Sequence, residues 1–364
     1  MTAAHPDTRE QGGGPVLDEV TAVAPIRVCD LGGWTDTWFS RRGRVFNIAV
    51  TPGVEVHVRI YEAGALSHRI VLDVANFGDR YGFEPGGAPG RHPLLEAVTD
   101  DVGAPDGIAL EIRVTSDVPA GSSTGTSAAV AVALIGALDA LCPGHPRSPL
   151  EVAHAAHRIE VERLGWESGV QDQLCAAFGG VNFIEIDPYP EAGRIGLAVP
   201  APTLQELERR LVLLHLGREH RSSEIHERVI ARLVDEGADS PALEALRRCA
   251  VEARDAVLAG DLDGLGDAMT RNTDAQRRLH GALVSAQAQA VMDIAASHGA
   301  VGWKVNGAGG EGGSVSLLGS SDRERVQTME DALLDADPAL RVIPTCLSQE
   351  GLRVRRFTPR AAAS

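Results

Sequence analysis

Aromatic side chains make up only 4% of this 364-residue chain, whereas glycine occurs 40 times. That balance reads as a mixed α and β protein with many tight turns and helices packed through small residues. A net basic charge is missing as well. The formal charge of −16 excludes a general nucleic-acid or membrane-surface binder, because both partners are themselves anionic. An anionic ligand would therefore need a local basic or N–H-lined pocket. The five cysteines, Cys29, Cys142, Cys175, Cys249 and Cys346, stand singly without C-x-x-C spacing. They are expected to be buried, reduced thiols of a cytoplasmic protein. Long apolar runs are absent: the longest, at 128–141, is too short to span a bilayer. The stretch from Met1 to Asp18 has neither a basic nor an apolar signal region and is expected to be a loose tail.

What the chain has is one glycine- and hydroxyl-rich corner, Pro119-Ala120-Gly121-Ser122-Ser123-Thr124-Gly125-Thr126-Ser127-Ala128. It joins an alternating run, Ile108 to Val114, to an Ala-rich apolar run ending at Leu141, so a strand here hands over to a helix. Unpaired N–H groups at the helix start and the aligned peptide dipoles favour a negative ligand. The plainer reading is an N-capped helix with a flexible entry. A Walker A loop is excluded, since no Lys precedes the Ser/Thr.

Two domains are expected from length, at roughly 150 residues each. Val23 to Trp38 holds a short strand carrying Arg27, followed by a Gly32-Gly33 turn that delivers Trp34, Thr35 and Asp36. Val45 to Ile60 alternates as a strand. Ser148, Pro149 and Glu151 form a helix-start signature, and the helix they open is predicted over 149–164, with Glu160 near its end. His154 and His157 on it lack a third metal ligand at a matching interval. Asp172 stands near the start of a short helix stopped by Gly179-Gly180; it is either that helix's cap or a functional carboxylate. A turn-rich stretch, Asp187 to Pro202, marks the domain boundary. Beyond it come a strand at 211–216, a Gly217 to Ser223 turn, and helices at about 241–258, 263–279 and 282–298. The run Gly307 to Gly313 fits G-x-G-x-x-G, but a strand at 314–318 follows it rather than a helix, so the dinucleotide fingerprint is rejected.

Three separated motifs thus stand in order: Arg27 to Asp36, Pro119 to Ala129, and Lys304 to Gly313. The set resembles the GHMP kinases, the family of galactokinase, homoserine, mevalonate and phosphomevalonate kinases. Their second motif is P-x-x-x-G-x-G-S-S-A, matched here by Pro119, Gly125, Ser127 and Ala128. Ser123 stands where Gly is usual and Thr126 where Ser is. In the first motif the Glu-His pair of galactokinases is replaced by Gly33-Trp34. That turn is similar to the sugar 1-kinase branch of heptose-7-phosphate kinases and L-fucose kinases, as is Gln171-Asp172-Gln173 with its following Ala-Ala-Phe-Gly-Gly.

The resemblance implies an α+β fold of two domains, ribosomal protein S5 domain 2-like at 21–195 and ferredoxin-like at 203–358, after a tail at 1–20. It implies an ATP-dependent kinase that phosphorylates the anomeric hydroxyl of a heptose, heptose 7-phosphate, fucose or related sugar. The alternatives are a non-sugar acceptor or a silent ATP and sugar sensor. By the same resemblance Asp172 and Arg27 are catalytic, and the 119–128 corner wraps the ATP phosphates. Mg²⁺ is held by Thr126 or Ser127 with Glu160. Gly33, Trp34, Thr35, Asp36 and Gly169 line the sugar, with Trp34 against a ring face. Arg218, Arg221 and Ser223 either clamp a substrate phosphate or are surface groups. The Gly307 to Gly313 turn buttresses the phosphate loop. The expected partner is a small-molecule sugar, with no nucleic acid or membrane, and the chain is a cytoplasmic monomer or homodimer.

Overall fold

The computed structural model describes residues 14–88, 90–142, 144, 146–218 and 224–357. The first half runs β1 (Asp18–Leu31), β2 (Gly43–Glu62), β3 (Ile70–Val74), β4 (Asp79–Phe83), α1 (Pro93–Val102), β5 (Ile108–Ser116), α2 (Thr126–Asp139), α3 (Pro149–Arg158), α4 (Gln171–Phe178), β6 (Val181–Ile186) and β7 (Ala192–Gly196). The second runs α5 (Ala201–Arg210), β8 (Leu211–His215), α6 (Glu224–Glu236), α7 (Pro241–Ala259), α8 (Leu262–Leu279), α9 (Ala286–Ser297), β9 (Gly302–Val305), β10 (Ser314–Leu318), α10 (Arg323–Ala336), β11 (Arg341–Ile343), β12 (Cys346–Leu347) and β13 (Arg353–Phe357).

Alternation builds the larger sheet. In β2 the side chains of Val54, Val56, Val58 and Ile60 turn inward while Glu55 and Arg59 face solvent, as a half-buried strand requires. Its main path is β13-β1-β2-β5-β3-β4, with β6, β7 and β12 reached through the other part of β2. Helix α2 lies on this sheet against β1 and β2. It is apolar on nearly every side, and residues Ala131 to Leu138 are all buried, so it forms the centre of the core rather than an amphipathic cover.

The smaller sheet has the order β11-β8-β10-β9, all antiparallel. With α9 before β9 and α10 before β11, this is the ferredoxin-like arrangement, into which α6, α7 and α8 are inserted after β8. Val291, Met292, Met329 and Leu333 fill its core.

Several expectations are corrected. Strand β1 begins at Asp18, inside the stretch expected as a tail. The end of the expected 203–358 domain returns to the first sheet: β12 pairs with β2, and β13 pairs with β1. Cys249, Ala253, Leu265 and Met269, on α7 and α8, also sit in the first domain's core. The helix expected over 149–164 has its capping box at Ser148 and Glu151 but leaves α geometry at Ile159, where a wider π turn spans Ile159–Arg163. Helix α9 starts at Ala286, after a separate short turn at Gly281–Leu283. Of the cysteines, Cys142 and Cys346 are exposed and the other three are buried; all are free. Among the described residues no helix is long and apolar enough to cross a membrane.

Candidate active site

Arg27 lies near the end of β1 with its side chain turned into the seam between the two sheets, and it is 5% exposed. Its guanidinium meets the Asp172 carboxylate in a two-pronged pair, Nε to Oδ1 at 2.8 Å and Nη2 to Oδ2 at 3.2 Å. Burial alone would lower the arginine pKa, but Asp172 and then Asp30 more than compensate, so it is raised and the charge is fixed. Asp172 is the second residue of α4, and the cap residue Val170 makes no side-chain capping bond. The carboxylate thus serves Arg27 rather than its own helix.

The glycine corner closes over this pair. Arg27 donates its backbone N–H to Thr124 O at 3.0 Å and a guanidinium N–H to Ser123 O. Gly125 has φ +70°, and a Cβ there would stand 3.1 Å from the Asp172 carboxyl carbon, so both conformation and space call for glycine. Gly125 starts α2 with no side-chain cap and no acid in the first turn. The start of α2 thus has no side-chain acceptor and lies beside Arg27, the arrangement of an anion seat. Ser123 also has positive φ, +56°, which gives a reason for the glycine usual at that place. Ser122 bonds Pro119 O at 2.6 Å, and Ser314 on β10 donates to Ser122 O at 2.6 Å. Gly307 approaches closely enough that a Cβ would touch Ser123 Cβ at 3.0 Å. The second sheet therefore braces the corner from below.

Next to the corner opens an apolar cavity of about 240 Å³, lined among others by Val74, Phe77, Leu94, Val114, Val130 and Trp166, and by Ala120 and Thr126 of the corner itself. Sequence reading missed it, because its walls come from separate elements and no motif marks them. A flat, apolar group attached to a phosphate chain in the corner suits it.

On the other side of Asp172 lies Asp36, 3% exposed. Burial, and then the charge of Asp172, pushes it up to about 7. Its Oδ2 accepts from Gln171 N at 3.3 Å, and a Cβ on Gly169 would fall 2.0 Å from that oxygen. Glu160, carried in the π turn and 2% exposed, is also pushed up to about 7, chiefly by burial. Its Oε2 accepts from Ser168 Oγ at 2.6 Å and Gln173 Nε2 at 2.7 Å. Glu160 Oε1 and Gln173 Oε1 are buried without a partner. Two orphaned acceptor oxygens beside Asp172 fit a cation. Among the described residues no cluster of three or more His, Cys, Asp or Glu could hold a metal by itself, so phosphate oxygens and water would have to complete the shell.

Other expected contacts are redistributed. Trp34 is 7% exposed, packed edge-on to His226 at 4.7 Å and among Val229, Leu246 and Leu279. Its ring is a core group, not a platform for a sugar. Thr35 is fully buried and bonds Gly32 O at 2.7 Å; it fixes the turn. Gly33 sits against the Asp30 carboxylate and Gln171. Arg218 is exposed and acts on Asp337. Arg221 and Ser223 lie outside the described residues.

Residues 93–180 match the family model described as GHMP kinases N terminal domain. The chain is similar to D-glycero-alpha-D-manno-heptose 7-phosphate kinase of Campylobacter jejuni, 28% identical over 56% of this chain and 60% of that one. The match thus spans about three-fifths of that relative's length. Among solved structures it is similar to a D-glycero-D-manno-heptose 1-phosphate kinase from Bacteriodes thetaiotaomicron, with a TM-score of 0.71, 22% identity, and coverage of 92% of this chain and 98% of that one. Mevalonate kinase of Pyrococcus horikoshii is 30% identical over 69% of this chain and 70% of its own length. At that identity and coverage, the chain belongs to the GHMP kinase family.

Proposed function

We propose that the chain is an ATP-dependent sugar kinase that transfers the γ-phosphoryl group to a hydroxyl, the anomeric one of a heptose, heptose 7-phosphate, fucose or related sugar. The observation that carries this reading is the Arg27 and Asp172 pair set against the uncapped start of α2. The nucleobase enters the apolar cavity beside Ala120 and Thr126, and the triphosphate follows the corner from 119 to 128. The leading N–H groups of α2 bind the phosphates, and the guanidinium of Arg27 neutralises the transferring group. Asp172, paired with Arg27, accepts the proton of the attacking hydroxyl, a contribution of about 10²–10⁴-fold. Asp36, with Gly169 drawn close to it, orients the acceptor hydroxyls. Mg²⁺ would be held by Glu160 with a hydroxyl of Thr126 or Ser127, supplying charge neutralisation along the phosphates.

The resemblance to heptose kinases supports a sugar acceptor, and the resemblance to mevalonate kinases keeps a non-sugar alcohol in the comparison. Acceptor-dependent ADP release is measured over heptoses, heptose 7-phosphates, fucose, galactose and mevalonate, with phosphorus NMR of the product. A sugar 1-phosphate is expected; a phosphorus signal coupled to a non-anomeric proton would end the 1-kinase assignment. Asp172→Asn is expected to lower kcat by at least about 10²-fold while ATP binding, read by calorimetry, stays nearly intact. Equal loss of both would show that Asp172 binds nucleotide instead.

A further inference from the structure

Behind Arg27 lies a second buried charge pair that the site as described does not use. Asp30, 1% exposed, follows Arg27 on β1 within an irregularity in the β1–β2 register between Val28 and Leu31. Its carboxylate lies 3.9 Å from Arg27 Nη1 and 3.3 Å from Lys304 Nζ. Both of its oxygens accept the N–H of Gly307, at 3.1 and 3.0 Å. Lys304, on β9 in the other sheet, is also 1% exposed. It donates to Gln276 Oε1 at 3.2 Å and to Val305 O, while Gln276 Nε2 donates to Gly307 O at 2.9 Å. Burial lowers the pKa of Lys304 and the Asp30 carboxylate opposes that; with the lysine protonated, Asp172, Arg27, Asp30 and Lys304 alternate in sign across the seam.

The arrangement leaves Arg27 between two carboxylates, 2.8 Å from one and 3.9 Å from the other. A buried ion pair is seldom a net source of stability compared with apolar residues of similar volume. We infer that Lys304 is a positioning residue: by neutralising Asp30 it keeps Arg27 on Asp172, and with Gly307 it ties the position of the catalytic pair to the second sheet. Without the ammonium, the unpaired Asp30 charge draws the guanidinium away from Asp172 and from the corner.

The inference rests on the assignment of Arg27 and Asp172 to phosphoryl transfer, and the test separates the two. Steady-state kinetics and melting temperatures are measured for Asp172→Asn, Lys304→Met, Asp30→Asn and the double variant Asp30→Asn with Lys304→Met. A misplaced guanidinium costs on the order of a hundredfold, so Lys304→Met is expected to lose about that much kcat with the ATP KM within about threefold. The double variant, which removes both charges, is expected to recover at least about tenfold of that loss. A merely structural pair would lower the melting temperature in both variants with no recovery of kcat, and that result overturns the inference. If Lys304→Met does not fold, the double variant decides: a kcat within about tenfold of the parent supports positioning, and a loss as deep as that of Asp172→Asn refutes it. Full activity in Asp172→Asn would instead overturn the assignment on which the inference stands.

Discussion

At the scale of single residues, the site is defined by groups held in states they would not choose in water. Asp36 and Glu160 keep their protons to about 7 in the folded chain, against ordinary values of 3.8 and 4.5. The folded state therefore binds more protons than the unfolded one between about pH 4 and pH 7, and stability falls as pH rises through that window, then levels off. Melting curves across this range are expected to show the fall, and Glu160→Gln to make it shallower. If a cation seats at Glu160, added Mg²⁺ raises the melting temperature more at pH 8 than at pH 6, and Glu160→Gln removes the difference. Ser123 holds φ +56°, a left-handed conformation that disfavours any side chain. Ser123→Gly is expected to stabilise the protein by about 1 kcal/mol in urea unfolding; an unchanged midpoint would show that the corner relaxes around the serine. Arg27, Asp36 and Asp172 were legible as residues because their motifs are local. The pairing of Asp30 with Lys304 was not, although both lie within motifs, since two buried charges 274 positions apart in sequence reveal it only when the sheets meet.

At the scale of elements, periodicity carried most of the reading. The alternation from Ile108 matches β5, and the apolar run after Gly125 matches α2. The helix expected at 241–258 is α7 within one residue. The glycine run at 307–313 opens onto strand β10, as its neighbours required. Two features escaped. The π turn at Ile159–Arg163 has no compositional mark, yet it sets Glu160 toward Ser168 and Gln173. The apolar cavity escaped because its walls are contributed by residues as far apart as Val74 and Trp166. Its assignment to the nucleobase is testable on α2 itself. Val130→Phe fills part of the cavity and is expected to raise the ATP KM by about tenfold or more, with kcat little changed. An unaltered KM would place the base elsewhere.

At the scale of the whole molecule, the chain does not divide where its turns suggest. Segment 346–352 runs along the first domain: Ser348 N–H bonds Ala49 O at 2.9 Å, Gly180 N–H bonds Ser348 O at 2.7 Å, and Leu352 N–H bonds Ala177 O at 3.1 Å. Leu352 packs against Gly136, where a Cβ would meet its side chain at 2.6 Å. These contacts seat α4, the helix of Asp172, from its far end. A variant ending at Thr345 is expected to melt at least about 10 °C lower and to lose turnover, as judged by calorimetry and ADP release. Composition gave no sign of this return, because a short strand such as Arg353–Phe357 is recognised only by the partner it finds.

A ribosome delivers the amino end first, and domains commonly fold as they emerge. Here the edge of the first sheet cannot close until Arg353–Phe357 has been made. The first sheet therefore gains its edge strand only after nearly all of the second half has been made. A chain released before Arg353 would carry the glycine corner on a sheet that lacks this edge strand.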